Sequence, residues 1–403
     1  MPEPARPRAR PGVQGARVPP APRTPPTAPA PLVPLRRARR GSGRATLADV
    51  AQVAGVSAQT VSRVLNSPAA VPEATVAHVR AAIQQVGYVP NRLAGGLASG
   101  RSRLVAALVP ALASPVFLET LEALTQTLAA QGYQLMLGES GYDDADEIEL
   151  LENLISRGPD GIVLTRVLES EAARQRLVRS GIPVVESWDL TTTPVDMLIG
   201  FSHEAVGARV AQAMHARGVR RPALITGNDP RAQRRRKGYA EELARLGLLL
   251  TAGVDAVGRA VSNPSLRSNG AVSAPIVDDP LSLLPTAVVD APAPMGSGRR
   301  ALADLLQRHP DIDGVFCSTD MLALGALTEA RDRGIAVPDQ LAVIGFGDHP
   351  IAADTSPSLT TVRIDGRRIG TQAAEWIMQR AAGQPVTDRI QDIGFDLIVR
   401  ASA

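Results

Sequence analysis

The chain has 403 residues, 44% hydrophobic but only 3% aromatic, enough for two or three domains whose cores Ala, Val, Leu and Ile must fill. Its single cysteine, Cys317, excludes a disulfide scaffold or a Cys-ligated zinc finger and fits a reducing compartment. The net charge of +3 conceals ten Arg against one Glu in residues 1–44, four Arg against two acids in 45–102, and 29 basic against 37 acidic groups beyond, a basic front that fits a nucleic-acid partner or a solvated tail alike.

Residues 1–44 contain twelve Pro and no helical or strand period, so they are expected to be a disordered tail. Its RRARR run (Arg36, Arg37, Arg39, Arg40) can touch phosphates, and nothing in it resembles the apolar stretch of a secretory signal. Leu47, Val50, Ala51 and Ala54 then recur at helical spacing. Gly55-Val56-Ser57 interrupts that helix, and Ser57 is placed to cap a second one from Ala58 to Asn66. On the second helix Val61, Val64 and Leu65 point inward, while Ala58, Gln59, Ser62 and Arg63 share the outer face. A third helix, Glu73–Val86, buries Val76, Val79, Ile83 and Val86 and ends at Gly87, where a left-handed cap is wanted.

From Arg103 onward short apolar runs alternate with amphipathic helices. The runs are LVAALV (104–109), QLML (134–137), GIVL (161–164), PVVE (183–186), MLIGF (197–201), PALI (222–225), TAVV (286–289), GVFC (314–317) and LAVIGF (341–346). Helical patterns lie between most of them, as at 116–131, 145–157 and 320–333. Such runs predict parallel strands covered on both faces, and nine of them favour two doubly wound α/β halves with a ligand cleft at the strands' carboxyl ends. Residues 251–282, rich in Gly, Pro, Ser and Asn, read as a surface insertion. No apolar run approaches the length of a membrane span.

Two short helices joined by a glycine-containing turn form the helix-turn-helix pattern, although an ordinary three-helix bundle fits it too. Gln59 can pair bidentately with adenine and Arg63 with guanine, while Ser57, Thr60 and Ser62 can donate to phosphates. The string TLADVAQVAGVSAQTVSRVLN (46–66), followed by GYVPNRLA (87–94), closely resembles the head of LacI/GalR-family bacterial transcription regulators. The resemblance implies that Ala58, Gln59 and Arg63 read bases, and that Thr46, Ser57, Thr60, Ser62, Asn66, Tyr88 and Asn91 contact or orient on the DNA backbone. It also implies a hinge at 91–102, NRLAGGLASGR and the serine that follows, where Ala94 meets DNA and Leu97 wedges into the minor groove. Gly95 and Gly96 depart from many relatives, each costing about 1 kcal/mol of helix propensity. The chain ends DIGFDLIVRASA without leucine heptads, so a homodimer on a pseudo-palindromic double-stranded operator is expected.

Residues 103–403 resemble the periplasmic-binding-protein-like sensor of the same family, through GFSHEAVGARVA (200–211), DGVFCSTDMLALGAL (313–327) and LAVIGFGD (341–348). Within the family, LVPALASPVFLETLEAL (108–124), GYQLMLGESGYD (132–143), GIPVVESWD (181–189) and RRRKGY (234–239) bring the resemblance nearest to gluconate-operon repressors. It implies a small-molecule effector, a gluconate-like sugar acid, with a neutral sugar or nucleobase as the alternative. By position Arg235, three residues before Gly238, would grip the ligand, although a surface charge in the run Arg231–Lys237 fits as well. Phe117 and Phe201 match pocket-lining positions or serve the core, and Asp320 would accept ligand hydroxyls or cap its helix. Thr165 and Glu186 complete the effector set, and with Asp189 and His203 they are expected to support the residues that touch the ligand more than to touch it themselves. Gly347 stands where many relatives place a ligand-binding Asp, with Asp348 following.

None of the five His joins a metal-ligand pattern, and no cofactor is implied. Phosphate-binding loops, nucleophile elbows and dinucleotide fingerprints are all missing from the sequence, so no catalytic residue and no enzyme is expected. A sugar-binding protein without a DNA role would share the sensor and lack the head. The expected protein is a ligand-controlled, DNA-binding transcription regulator, a repressor, cytoplasmic and nucleoid-associated. It comprises a tail (1–44), an all-α helix-turn-helix head (45–90), a hinge (91–102) and a two-lobed sensor and dimerisation domain (103–403).

Overall fold

The computed structural model describes residues 45–89, 101–112, 114–141, 147–249 and 280–403, and the chain divides at Pro90/Asn91 into two compact units. The tail 1–44, the hinge residues Asn91, Ala94, Gly95, Gly96 and Leu97, and most of the 251–282 insertion lie outside the described residues.

The first unit is a trio of helices, α1 (Leu47–Val53), α2 (Ala58–Asn66) and α3 (Glu73–Val86). Thr46 and Asp49 cap α1 reciprocally: the Thr46 Oγ1 accepts the Asp49 N–H at 3.3 Å, and the Asp49 carboxylate accepts the Thr46 N–H at 2.7 Å. The turn passes through Gly55 at φ +61°, and the Ser57 hydroxyl then caps α2 by accepting the Thr60 N–H at 3.1 Å. Val50, Ala51, Ala54, Val61, Val64, Val79 and Ala82 form the buried core, small because the unit is short and its fully buried side chains are all Val and Ala.

The second unit holds two six-stranded sheets. The first contains β1 (Leu104–Val109), β2 (Gln134–Glu139), β3 (Gly161–Leu164), β4 (Val184–Ser187), β5 (Met197–Gly200) and β11 (Ile390–Asp392), all parallel in the order β2-β1-β3-β4-β5-β11. The second contains β6 (Pro222–Gly227), β7 (Thr286–Val289), β8 (Gly314–Cys317), β9 (Ala342–Phe346), β10 (Thr360–Arg363) and β12 (Asp396–Ile398) in the order β7-β6-β8-β9-β10-β12. Only β12 runs antiparallel to its neighbour. β3, β4 and β9 are buried along their whole length and β1 at all but Leu104, which explains their apolar runs. Each sheet reverses its winding between the first and third strand it contributes, β1/β3 and β6/β8, and such switch points open a crevice at the strand ends.

The helices are α4 (Leu118–Ala130), α5 (Glu147–Ile155), α6 (Glu171–Ser180), α7 (His203–Arg217), α8 (Pro230–Arg245), α9 (Met295–Arg308), α10 (Asp320–Asp332), α11 (Ile351–Asp354) and α12 (Gly366–Ala381). The chain crosses between lobes three times: after β5, between β10 and α12, and between β11 and β12. Helix α12 packs on α4 and on β3, β4 and β5, so both lobes are discontinuous in sequence. The nine expected strands stand in their places, but β10, β11 and β12 were not foreseen. TTVR, IQD and DLI are short, and the last two are half-exposed edge strands without an apolar run.

Candidate nucleic-acid interface and effector cleft

On α2, Ala58, Gln59 and Arg63 are exposed and Thr60 and Ser62 half-buried, while Val61 and Val64 face the core. Gln59 and Arg63, four residues apart, share one helical face. Ser57 Oγ and Thr60 Oγ1 lie 2.9 Å apart, and Asn66 Nδ2 donates to Ser62 Oγ at 3.2 Å, so each pair is held by a neighbour within one turn. Thr46 and Ser57 occupy the N-caps of α1 and α2, where backbone N–H groups and the helix dipole favour an anion. Tyr88 packs half-buried against the core.

The sensor's cleft lies where the strand ends of the two lobes face one another. A cavity of about 280 Å³ is walled by Ser114–Val116 from the first lobe and by Gly227, Ser318, Thr319 and His349 from the second. A larger one of about 680 Å³ is walled by Pro110, Glu139, Arg166, Glu169 and Asp189 opposite Asn228, Arg231 and Arg234; both share Asp229, Ala291 and Pro292. Helix α8 supplies Arg231, Arg234 and Arg235 at i, i+3 and i+4, so the three guanidinium groups project toward one side. It is held against α7 by glycine at both contacts. A Cβ on Gly207 would lie 2.1 Å from the Arg235 carbonyl, and one on Gly238 would lie 2.0 Å from that of Glu204.

Arg235 is 4% exposed. Its Nη1 donates to His203 Nδ1 at 2.9 Å, its Nη2 donates to the Ser318 carbonyl at 3.1 Å, and its Cζ lies 4.2 Å over the Phe346 ring. A guanidinium has no acceptor, so His203 Nδ1 must accept and its Nε2 carries the proton, donated to the Trp188 carbonyl at 2.9 Å. Burial, then the Arg235 charge, holds the His203 pKa well below its ordinary value, which keeps the ring neutral.

Trp188 adopts a left-handed φ of +68°, a conformation costing about 1–3 kcal/mol, and its indole N–H donates to Thr120 Oγ1 at 3.1 Å. Its ring meets Phe117 at 5.1 Å and Phe201 at 5.9 Å, and Phe201 meets His203 at 4.7 Å. The chain has only five Phe and two Trp, and three Phe and one Trp pave this junction, so the scarce aromatic surface is concentrated here.

Arginines from the second lobe reach the first. Arg231 donates to the Thr165 carbonyl at 2.9 Å and stacks 5.0 Å from the centre of the Phe117 ring. Arg234 pairs with Asp189 and, at 2.8 Å, with Glu169. Burial raises the Asp189 pKa while the Arg234 charge opposes the rise. The Thr165 hydroxyl is turned inward to the Leu108 carbonyl at 3.1 Å.

Two expected ligand carboxylates are otherwise engaged. Glu186 is fully buried and lies outside the walls of both cavities. Its oxygens accept the N–H groups of Leu168 at 2.9 Å and Val195 at 2.7 Å, so it staples two loops. Asp320 accepts from the Thr361 hydroxyl and from the His349 N–H at 2.8 Å, and the side-chain cap of its helix is Thr319, not Asp320. Gly347 sits at φ +128°, which accounts for glycine there, and Asp348 turns away to Arg363 and Arg400 at 2.6 and 2.7 Å. Sequence reasoning missed Arg231 and Arg234 as cleft residues, although their spacing from Arg235 was the available signal. Ser318, Thr319 and Arg166 carried none beyond their place after a strand.

Residues 46–91 match the model for bacterial regulatory proteins of the lacI family, 102–258 that for periplasmic binding proteins and the sugar-binding domain of the LacI family, and 211–403 a periplasmic binding protein-like domain. The chain is 36% identical over 349 residues to the HTH-type transcriptional regulator GntR of Pseudomonas aeruginosa, spanning 86% of this chain and 92% of that one. The chain belongs to the LacI family. A LacI-family transcriptional regulator from Silicibacter pomeroyi shares the fold with a TM-score of 0.76 and 31% identity, over 89% of this chain and 99% of that one. The transcription regulator GntR from Chromobacterium violaceum gives 0.63 and 34%, over 74% and 98%. This LacI-family member is therefore a DNA-binding transcriptional regulator under small-molecule control and not an enzyme. Among the described residues no His, Cys, Asp and Glu cluster is placed to hold a metal ion, and no helix is long and apolar enough to cross a membrane.

Proposed function

We propose that this regulator is a dimeric repressor whose cleft takes a gluconate-like sugar acid. The observation that carries the reading is Arg231 and Arg234 on the cavity wall, with Arg235 buried behind them on the same side of α8, a planar-fork chemistry suited to a carboxylate and vicinal hydroxyls. The similarity to regulators named GntR, and to gluconate-operon repressors in sequence, supports the same ligand class. In this reading residues 45–90 are the head, 91–102 the hinge and 103–403 the sensor, with 1–44 a salt-sensitive helper. Ala58, Gln59 and Arg63 read bases; Thr46, Ser57, Thr60, Ser62, Asn66, Tyr88 and Asn91 engage the backbone; Ala94 and Leu97 act from the hinge. Effector binding changes the lobe arrangement, and the two heads lose or gain their joint hold on a pseudo-palindromic operator.

Thermal-shift screening of sugar acids, neutral sugars and nucleobases tests this, followed by operator titration with each stabilising compound. Gluconate is expected to raise Tm and change operator affinity. Protection by neutral sugars or nucleobases alone would overturn the sugar-acid reading.

A further inference from the structure

The two lobes repeat one device at the point where the chain enters their first central strand. In the second lobe Asp313, immediately before Gly314 of β8, accepts the Arg220 N–H at 2.9 Å and the Arg221 N–H at 2.7 Å just ahead of β6. In the first lobe Asp160, immediately before Gly161 of β3, accepts the Ser102 N–H at 2.8 Å and the Arg103 N–H at 3.0 Å just ahead of β1. Neither carboxylate belongs to the cleft, and both are half-buried.

The first-lobe copy is elaborated. The Ser102 hydroxyl adds a third bond to Asp160 at 2.9 Å and itself accepts the Leu104 N–H at 3.2 Å. The chain also carries one residue more than in the second lobe. Val105 stands opposite Gly161, two residues after the last clamped N–H, whereas Pro222 opposite Gly314 follows it directly. Arg103 absorbs the added residue in a left-handed conformation, φ +51°, which an arginine adopts only when its surroundings hold it there. The segment held at Arg220 and Arg221 follows α7 within the sensor. The segment held at Ser102 and Arg103 is where the polypeptide arrives from the DNA-binding head.

We propose that Asp160 is the positioning residue through which the sensor grips the end of the linker, so that movement of the first lobe reaches the linker and is not lost as slack at 101–103. The inference rests on effector control and on the linker position given above, not on the effector's identity.

The test uses the full chain, a duplex selected by the wild type from a random library, and D-gluconate as probe. Asp160→Asn keeps the shape but sets an amide NH2 against a backbone donor. It should retain the selected sequence preference while the ratio of operator Kd with and without gluconate falls from the roughly 5- to 150-fold span of allosteric regulators to about one. Asp313→Asn, the matched change in the other lobe, should lower Tm by at least as much and keep the wild-type ratio. Ser102→Ala, which removes only hydroxyl bonds, should narrow the ratio about threefold and carries the test if Asp160→Asn does not fold. A wild-type ratio in Asp160→Asn, or equal narrowing in Asp313→Asn, overturns the proposal. If gluconate leaves the wild type unaffected, the sugar-acid reading fails alone. The decision then falls to operator Kd without effector, about tenfold weaker in Asp160→Asn and unchanged in Asp313→Asn, because a slack linker loosens the coupling of two heads on one operator. Equal values there overturn it too.

Discussion

In the head, Thr46, Ser57 and Asn66 find their side-chain partners three or four residues away, on a surface open to water. In the cleft, Arg235 reaches His203 and Ser318 across 32 and 83 residues of sequence, and Arg234 reaches Asp189 across 45. The polar surface of the head is thus held by local bonds, whereas the cleft is part of what holds two lobes together. A change on α2 should alter binding and spare stability. A change among the cleft's buried groups should alter both, because each leaves a desolvated partner behind.

The largest effect is expected for Arg235→Leu, which should abolish the response to effector and cost about 2–4 kcal/mol of stability by orphaning His203 and the Ser318 carbonyl. Effector titration alongside denaturant unfolding reads both, and an unaltered unfolding midpoint would break the contrast from the cleft side. Arg63→Ala should cost about 1–3 kcal/mol of operator affinity, with preference relaxed at one base pair and stability unchanged within about 0.5 kcal/mol. A clear loss of stability there would break it from the head side.

His203 is held neutral in the folded state, so its contribution is complete above its ordinary pKa of 6.5 and is lost as pH falls below it, where only the unfolded chain takes up the proton. Stability should fall by up to about 1.4 kcal/mol per pH unit below that point, and His203→Gln should remove this part of the slope in unfolding curves from pH 7 to 5. Ser57→Ala should cost about 1 kcal/mol through loss of the α2 cap, visible as a lower Tm of the head. A drop much larger than that would mean that Ser57 holds more than its own helix.

Much of this was readable from residues alone where the controlling interactions are local. Gly55 and Gly87 at positive φ, Ser57 as a cap and the outer face of α2 stand where helical spacing and capping chemistry put them. Arg235 was readable as a ligand-facing candidate only through resemblance, since its own neighbourhood is a run of like charges. Glu186 and Asp320 show what a local reading leaves open. A carboxylate after a strand looks the same in sequence whether it faces a ligand or accepts N–H groups from a loop, and here loops at 168 and 195 and the turn at 349 claimed them.

The three-helix head, the nine apolar strands and the parallel character of both sheets follow from the residues alone, because periodicity, caps and buried runs are encoded within a few residues. The tertiary structure decided which polar groups meet. Of the three crossings between lobes the second carries α12 and β11 back to the first sheet, and the folded arrangement sets Arg231 and Arg234 against first-lobe groups, and Arg235 against His203, far away in sequence. It also brought Asp160 to Ser102 and Arg103, a hydrogen-bonded pairing 57 and 58 residues apart that no local pattern announces.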